Sequence, residues 1–350
     1  MRLIEIVAVL CTVTVASAQD PTAPAASLRK LGTAVEGPVV RVAESMAGAP
    51  ANYDRDKRGD VPIASQQCTP SSLWTAEADP EDYQIGCKEV EELLRNNSTF
   101  AGKGNLRKVY IAQYNGRSVA VKQLINSTPL GLHEHWLEMV ASDAVKGRPN
   151  VVDMLGFCGT TIVTEAFPQN VGQIVGYAKE PLPMEQVISM SLDAAMGLKA
   201  LHEASDAPIV HFDVKIDQLL ARDDGRVSLS DYNLAYFMGT YPDGSPCPFN
   251  LQGFERSQSA FKSPEYIAGE ILTEKVDIYR MGVVFAQIVK AGSNDPFYPR
   301  RGDPPTFDPT YNQAYVKVVR EMLGEVERRP SAAQLVSYLQ DIQEELFHTH

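Results

Sequence analysis

His211-Phe212-Asp213-Val214-Lys215-Ile216-Asp217-Gln218-Leu219-Leu220, with Leu229-Ser230-Asp231-Tyr232-Asn233 shortly after it, is the stretch that decides how this chain is read. Asp213 and Asp231 stand 18 residues apart, and a lysine and an amide follow the first aspartate by two and five positions. Two isolated aspartates would carry no information. A fixed interval with a cation and an amide at set offsets is specific.

Outward from this stretch the chain divides in two. Upstream, β-rich runs over 108–114 and 118–124 flank Asn115-Gly116, a strong hairpin signal. A helix is expected over 132–145, and apolar runs at 151–158 and 160–165 complete a small sheet. Beyond Pro183 the periodicity is helical, over 184–204, 275–291, 313–323 and 332–347. Strands first and helices second predict an α+β chain with no internal repeat.

Further short motifs stand around the central stretch in order. Gly102-Lys103-Gly104 precedes the hairpin, and Val119-Ala120-Val121-Lys122 lies on its second strand. Downstream come Ser263-Pro264-Glu265, Asp277-Ile278-Tyr279-Arg280-Met281-Gly282 and Arg329-Pro330-Ser331. The ordered set resembles the protein kinase family over about residues 99–345.

The resemblance implies a bilobal fold over 99–347, with a β-rich N-lobe at 99–165 and a helical C-lobe at 168–347. It also implies a binding site for ATP with Mg²⁺ or Mn²⁺. Gly102 and Gly104 would let backbone amides lie over the phosphates, whose charge Lys122 would neutralise. Glu138 is expected to hold that lysine, in preference to Glu134, which stands where the helix dipole alone favours acids. Val109 and Ala120 above and Leu220 below would sandwich the adenine, with Thr164-Glu165-Ala166 as the hinge. Asp213 would orient the proton of an attacking hydroxyl, and Lys215 would balance charge on the transferred phosphoryl group. Asp231 and Gln218 would hold the metal. His211 and Tyr232 would belong to a stack linking the lobes, and Arg329 would pair with Glu265.

Four departures stand out. Arg107 replaces the third glycine, Gln218 the metal-binding asparagine, and Asn233 the glycine after Asp231-Tyr232. Phe212 replaces the arginine that in regulated kinases reads a phosphate on the activation segment, so activity is expected not to depend on phosphorylation over 233–263. Gln218-Leu219-Leu220 is similar to secretory-pathway kinases such as protein O-mannose kinase, whereas 119–124 and Arg328-Arg329-Pro330 resemble tyrosine-kinase-like members. Two functions stay open: an active phosphotransferase, for which Lys215 favours Ser or Thr over a Tyr or sugar hydroxyl, and a pseudokinase that binds nucleotide or a partner. His133-Glu134-His135 is discounted as a metal site because positions i and i+2 face different sides of a helix.

Composition agrees with a folded body. Of 350 residues 44% are hydrophobic and 22% charged, which argues against wholesale disorder, and a net charge of −12 disfavours nucleic acid and anionic lipid as partners. The expected partners are ATP and a protein or glycoprotein substrate. Residues 1–18 read as a signal peptide ending in Ala16-Ser17-Ala18, 19–66 as a leader and 67–98 as a Cys-containing extension. No later run is apolar for long enough to span a membrane. The Arg55-Asp56-Lys57-Arg58 tetrad matches furin-like cleavage sites, and sequons occur at Asn96, Asn97 and Asn126. A secreted or luminal protein follows, with four cysteines left in three alternative pairings. Cys68 with Cys87 is the expected pair because it closes a short loop, with Cys158 a buried free thiol.

Overall fold

The N-lobe is built from its hairpin outward. Asn115 (φ 49°) and Gly116 (φ 77°) both take the left-handed backbone of a tight two-residue turn. That turn sets the register of β2 (Arg107–Tyr114) against β3 (Arg117–Leu124). With β1 (Thr99–Lys103), β4 (Met154–Cys158) and β5 (Thr161–Glu165) they form an antiparallel sheet in the order β1-β2-β3-β5-β4. The computed structural model describes residues 68–95, 98–250, 261–297 and 305–348. The signal peptide, the leader, the Arg58 tetrad, Asn96 and Asn97 lie outside that range.

Directly paired residues of antiparallel strands share a face. Arg107, Val109 and Ile111 therefore stand with Leu124, Lys122 and Ala120, and the last two with Ile162 and Thr164. The opposite face carries Ala112, Val119, Val121 and Val163. The extension covers it: α1 (Cys87–Arg95) lays Val90 and Leu93, with Ile85, on this apolar face. Each such side chain contributes roughly 1.5–3 kcal/mol when removed from water. A Cβ on Gly156 would sit 1.9 Å from the Ile85 carbonyl oxygen, so only glycine lets the extension lie this close to β4.

Helix α2 (Pro129–Ala144) crosses beside the sheet. Thr128 starts it by accepting from the Gly131 amide at 3.1 Å, and proline at the first turn has a fixed φ suited to a helix. The C-lobe follows through β6 (Gln169–Asn170), α3 (Val171–Tyr177) and the long α4 (Met184–His202). Next come β7 (Ile209–Val210), β8 (Leu219–Ala221), β9 (Val227–Leu229) and β10 (Tyr236–Phe237). Helices α5 (Pro264–Ala268), α6 (Lys275–Val289), α7 (Gln313–Met322) and α8 (Ala332–His348) complete it. Leu198, Leu201, Ile278, Phe285, Tyr315 and Leu339 belong to its core. This is the bilobal α+β fold expected from the strand-then-helix order.

The cysteine pairing differs from expectation. Cys68 bonds Cys247 and Cys87 bonds Cys158, so Cys68 and Cys87 do not pair and Cys158 is not a free thiol. The reason lies in the path of the extension. Residues 68–83 run along α2, so Cys68 reaches the segment after β10 while Cys87 lies over β4. Among the described residues no helix is long and apolar enough to cross a membrane.

Candidate active site

The upper wall of the cleft is an ion cluster. Lys122 Nζ, on β3, lies 3.1 Å from Glu138 Oε1 on α2, and Arg107 Nη2, on β2, lies 2.7 Å from Glu138 Oε2. The lysine contact is an aligned hydrogen bond. The arginine contact is close but not aligned as one, and the three guanidinium nitrogens have no hydrogen-bond partner although the residue is 8% exposed. Burial pushes the Glu138 carboxyl up, but Arg107 and Lys122 outweigh it and hold the group down at about 2. His135, one turn back, is lowered to about 4 by burial and by Arg107, and its Nε2 lies 3.1 Å from the Gly159 carbonyl oxygen. His133 stacks on Trp136, so the two histidines of the discounted trio face different neighbours.

The lower wall is a loop pinned by a buried carboxylate. Asp277, at the start of α6, accepts from the amides of His211 at 2.7 Å and Phe212 at 2.9 Å and lies 3.0 Å from His202 Nε2. Burial raises the Asp277 carboxyl, but the hydrogen bonds and nearby histidines hold it below its ordinary range. His211 Nε2 lies 2.9 Å from the Ser230 carbonyl oxygen and its ring meets Tyr232 edge-on, which links the two aspartate segments. Phe212 (φ 65°) and Asp231 (φ 69°) both sit in the left-handed region, a strain that persists only where surrounding contacts impose it.

Around these backbones the chemical groups converge. Lys215 Nζ donates to Asp213 Oδ2 at 2.6 Å. The Gln218 amide nitrogen donates to Asp231 Oδ2 at 2.7 Å and to Asp213 Oδ2 at 3.2 Å, so one side chain bridges both carboxylates. Turned about its last bond, that amide presents an oxygen instead. The donors here are then carboxylate and amide oxygens, the set that suits Mg²⁺ or Mn²⁺, and among the described residues no group of three or more His, Cys, Asp or Glu is arranged to hold a metal ion.

The remaining candidates fall around this frame. Val109 and Ala120 share the face of Lys122, and Leu220 is partly exposed on β8. Gly102 pairs with Val109 across a bulge in β1, and the Gly104 amide donates to the Arg107 carbonyl, closing the turn between β1 and β2. Glu165 pairs through its side chain with Arg222 at 2.8 Å. The Ala166 amide donates to Ser118 at 3.3 Å, so the sheet uses that group. Glu265 and Arg329 form a buried two-bond pair at 2.6 and 2.9 Å.

The family model described as a protein kinase domain matches residues 96–348. The chain belongs to the protein kinase family. Similar relatives from Arabidopsis thaliana include a leucine-rich repeat receptor-like serine/threonine-protein kinase, 26% identical over 62% of this chain and 25% of its own length. Receptor-like kinase TMK4 is 30% identical over 57% of this chain and 22% of its own, and serine/threonine-protein kinase PBS1 29% identical over 55% and 43%. The chain thus spans less than half the length of each.

One residue inside the quoted motifs, Arg280, takes a place at this kinase site that the motifs do not announce. Arg280 Nη1 lies 3.5 Å from Asp213 Oδ1, and its guanidinium sits over the Phe212 ring. It stands three positions after Asp277 on α6, on the same helix face. That spacing was the available signal.

Proposed function

We propose that the chain transfers the γ-phosphoryl group of ATP to a serine or threonine hydroxyl of a protein. The Lys122–Glu138 pair carries this reading, because that pair must be in place for a kinase to act. The acceptor oxygen bonds to the γ-phosphorus as the bridging β–γ P–O bond breaks, ADP departs, and Asp213 takes the hydroxyl proton. Lys215, already on Asp213, balances the charge of the phosphoryl group in transit. A divalent cation would neutralise phosphate charge, and Asp231 with the turned Gln218 amide would hold it. Lys215 and the relatives named as serine/threonine kinases support that acceptor class.

Release of γ-phosphate label from ATP to mixed Ser/Thr and Tyr peptides, with Mg²⁺ or Mn²⁺, tests the reading. Turnover on Ser/Thr that vanishes in Asp213→Asn is the expected result. A second reading, a nucleotide-binding pseudokinase, is favoured by Arg107 on Glu138 and by the Gln218 amide on Asp231. Binding without turnover in both proteins would select it. A secreted or luminal setting is supported by the two disulfides, which persist in oxidising compartments. Recovery of the full chain from culture medium, carrying a glycan at the exposed Asn126, tests that setting.

A further inference from the structure

The extension does more than cover the back of the sheet. Its first described residues join two parts that a kinase must hold in register. Cys68 is bonded to Cys247, and Thr69 exchanges two backbone hydrogen bonds with Thr240, at 2.8 and 2.9 Å. The contact is close enough that a Cβ on Gly239 would lie 2.4 Å from the Thr69 carbonyl oxygen. Five residues on, Trp74 Nε1 donates to the Phe237 carbonyl at 2.7 Å, and its ring meets Phe237 edge-on at 5.0 Å. The Trp74 ring also meets Tyr236 edge-on at 5.5 Å, and a further neighbour is on α2. Trp74 stacks on Trp136 at 6.1 Å, and Trp136 Nε1 donates back to the Ala76 carbonyl at 3.2 Å.

Trp136 and Glu138 are two residues apart on α2 and so point to different sides of the helix. One side meets the extension and the other meets Lys122. A helix held from behind by Trp74 cannot swing away from Lys122 without breaking either the tryptophan stack or the Phe237 bond. Meanwhile the position that would read a regulatory phosphate holds Phe212, whose ring packs on Phe249 and Tyr266.

We propose that Trp74 is a positioning residue: through Trp136 and Phe237 it holds α2 against β10 in the arrangement that pairs Lys122 with Glu138. The strap at 68–78 then does by aromatic packing and a disulfide what a phosphate on the activation segment does in regulated kinases. This rests on the phosphotransferase reading for its effect on rate, but not for its effect on the helix.

The test uses the full chain with Trp74→Ala and Trp74→Phe. For Trp74→Ala, kcat should fall at least about tenfold while KM for ATP changes by less than about threefold. Amide exchange should quicken by about tenfold or more in α2 and 236–240 and stay unchanged in α6. Trp74→Phe keeps a ring but loses the donor to Phe237, so it should lie between. A kcat within about twofold of the parent overturns the proposal. So does exchange that quickens equally in α2, α6 and α8, which would make Trp74 merely structural. If the parent itself turns over no ATP, the phosphotransferase reading fails and the exchange measurement alone decides for or against the strap.

Discussion

The two walls of the cleft solve opposite electrostatic problems. Above, one buried carboxylate, Glu138, stands between two cations, Lys122 and Arg107. Below, two carboxylates share one neutral amide, and the cations Lys215 and Arg280 both lie against Asp213. The upper wall therefore carries spare positive charge and suits an anion. On the lower wall Asp231 meets the neutral Gln218 amide and is the carboxylate open to a cation. Such complementary walls lie ready for a phosphate–metal ligand.

The lower wall is where breaking one group should cost most. Asp213→Asn should lower turnover by roughly 10²–10⁴-fold while keeping the thermal shift that ATP induces, because the proton acceptor is lost and the upper wall is untouched. Parallel single-turnover and thermal-unfolding measurements would show it, and turnover within tenfold of the parent would remove Asp213 from the chemistry. Next comes Gln218→Ala, expected to cost on the order of 10–100-fold. Gln218 sits one methylene further out than asparagine, and Mg²⁺ demands stricter geometry than Mn²⁺, so the parent should be faster with Mn²⁺. Gln218→Asn should narrow that preference, and equal rates for all three proteins with both metals would exclude a metal role.

The upper wall should show itself through acid. Glu138 is held down at about 2 from an ordinary 4.5, so its contribution to stability is present above pH 4.5 and is lost as pH falls towards 2. Arg107→Ala removes one cause of that depression. The variant should therefore lose less stability than the parent between pH 4.5 and 2, by about 1 kcal/mol or more in urea titrations. His135 gives an adjacent window. Its pKa is about 4 when folded and 6.5 ordinarily, so between those values the unfolded chain takes a proton that the folded chain refuses. Stability should fall through that window by up to about 3 kcal/mol, and His135→Gln should flatten the fall. The smallest effect expected is none: phosphatase treatment, or Ser257→Ala with Ser259→Ala, should leave the rate unchanged because Phe212 cannot pair with a phosphate. Those serines lie outside the described residues. A silenced enzyme would refute this.

Local patterns on single elements were readable in the sequence. The Asn115-Gly116 turn specified the hairpin, and apolar periodicity located α2, α4, α6, α7 and α8 to within a few residues. The choice of Glu138 over Glu134 followed from spacing and agrees with the 3.1 Å contact to Lys122. The failures share a cause. Helix α1, the disulfide pairs and the Trp74–Trp136 contact all depend on where the extension travels after it meets the N-lobe. The disulfide and tryptophan partners lie 62 to 179 residues apart along the chain, beyond the reach of any local pattern. The motif around Arg280 carries no sign of its role for a related reason, since its partner Asp213 lies 67 residues before it.

The close seat of Ile85 on Gly156 also bears on how this protein should be cut. Sequence patterning places the start of the kinase unit at residue 99, and the family model begins at 96. A fragment trimmed there would strip Ile85, Val90 and Leu93 from the back of the sheet, leaving Val119, Val121 and Val163 facing water. It would also release Cys158 and Cys247 as free thiols. Such a fragment should be sticky, prone to intermolecular crosslinks and hard to concentrate. The expressible unit starts upstream of Cys68.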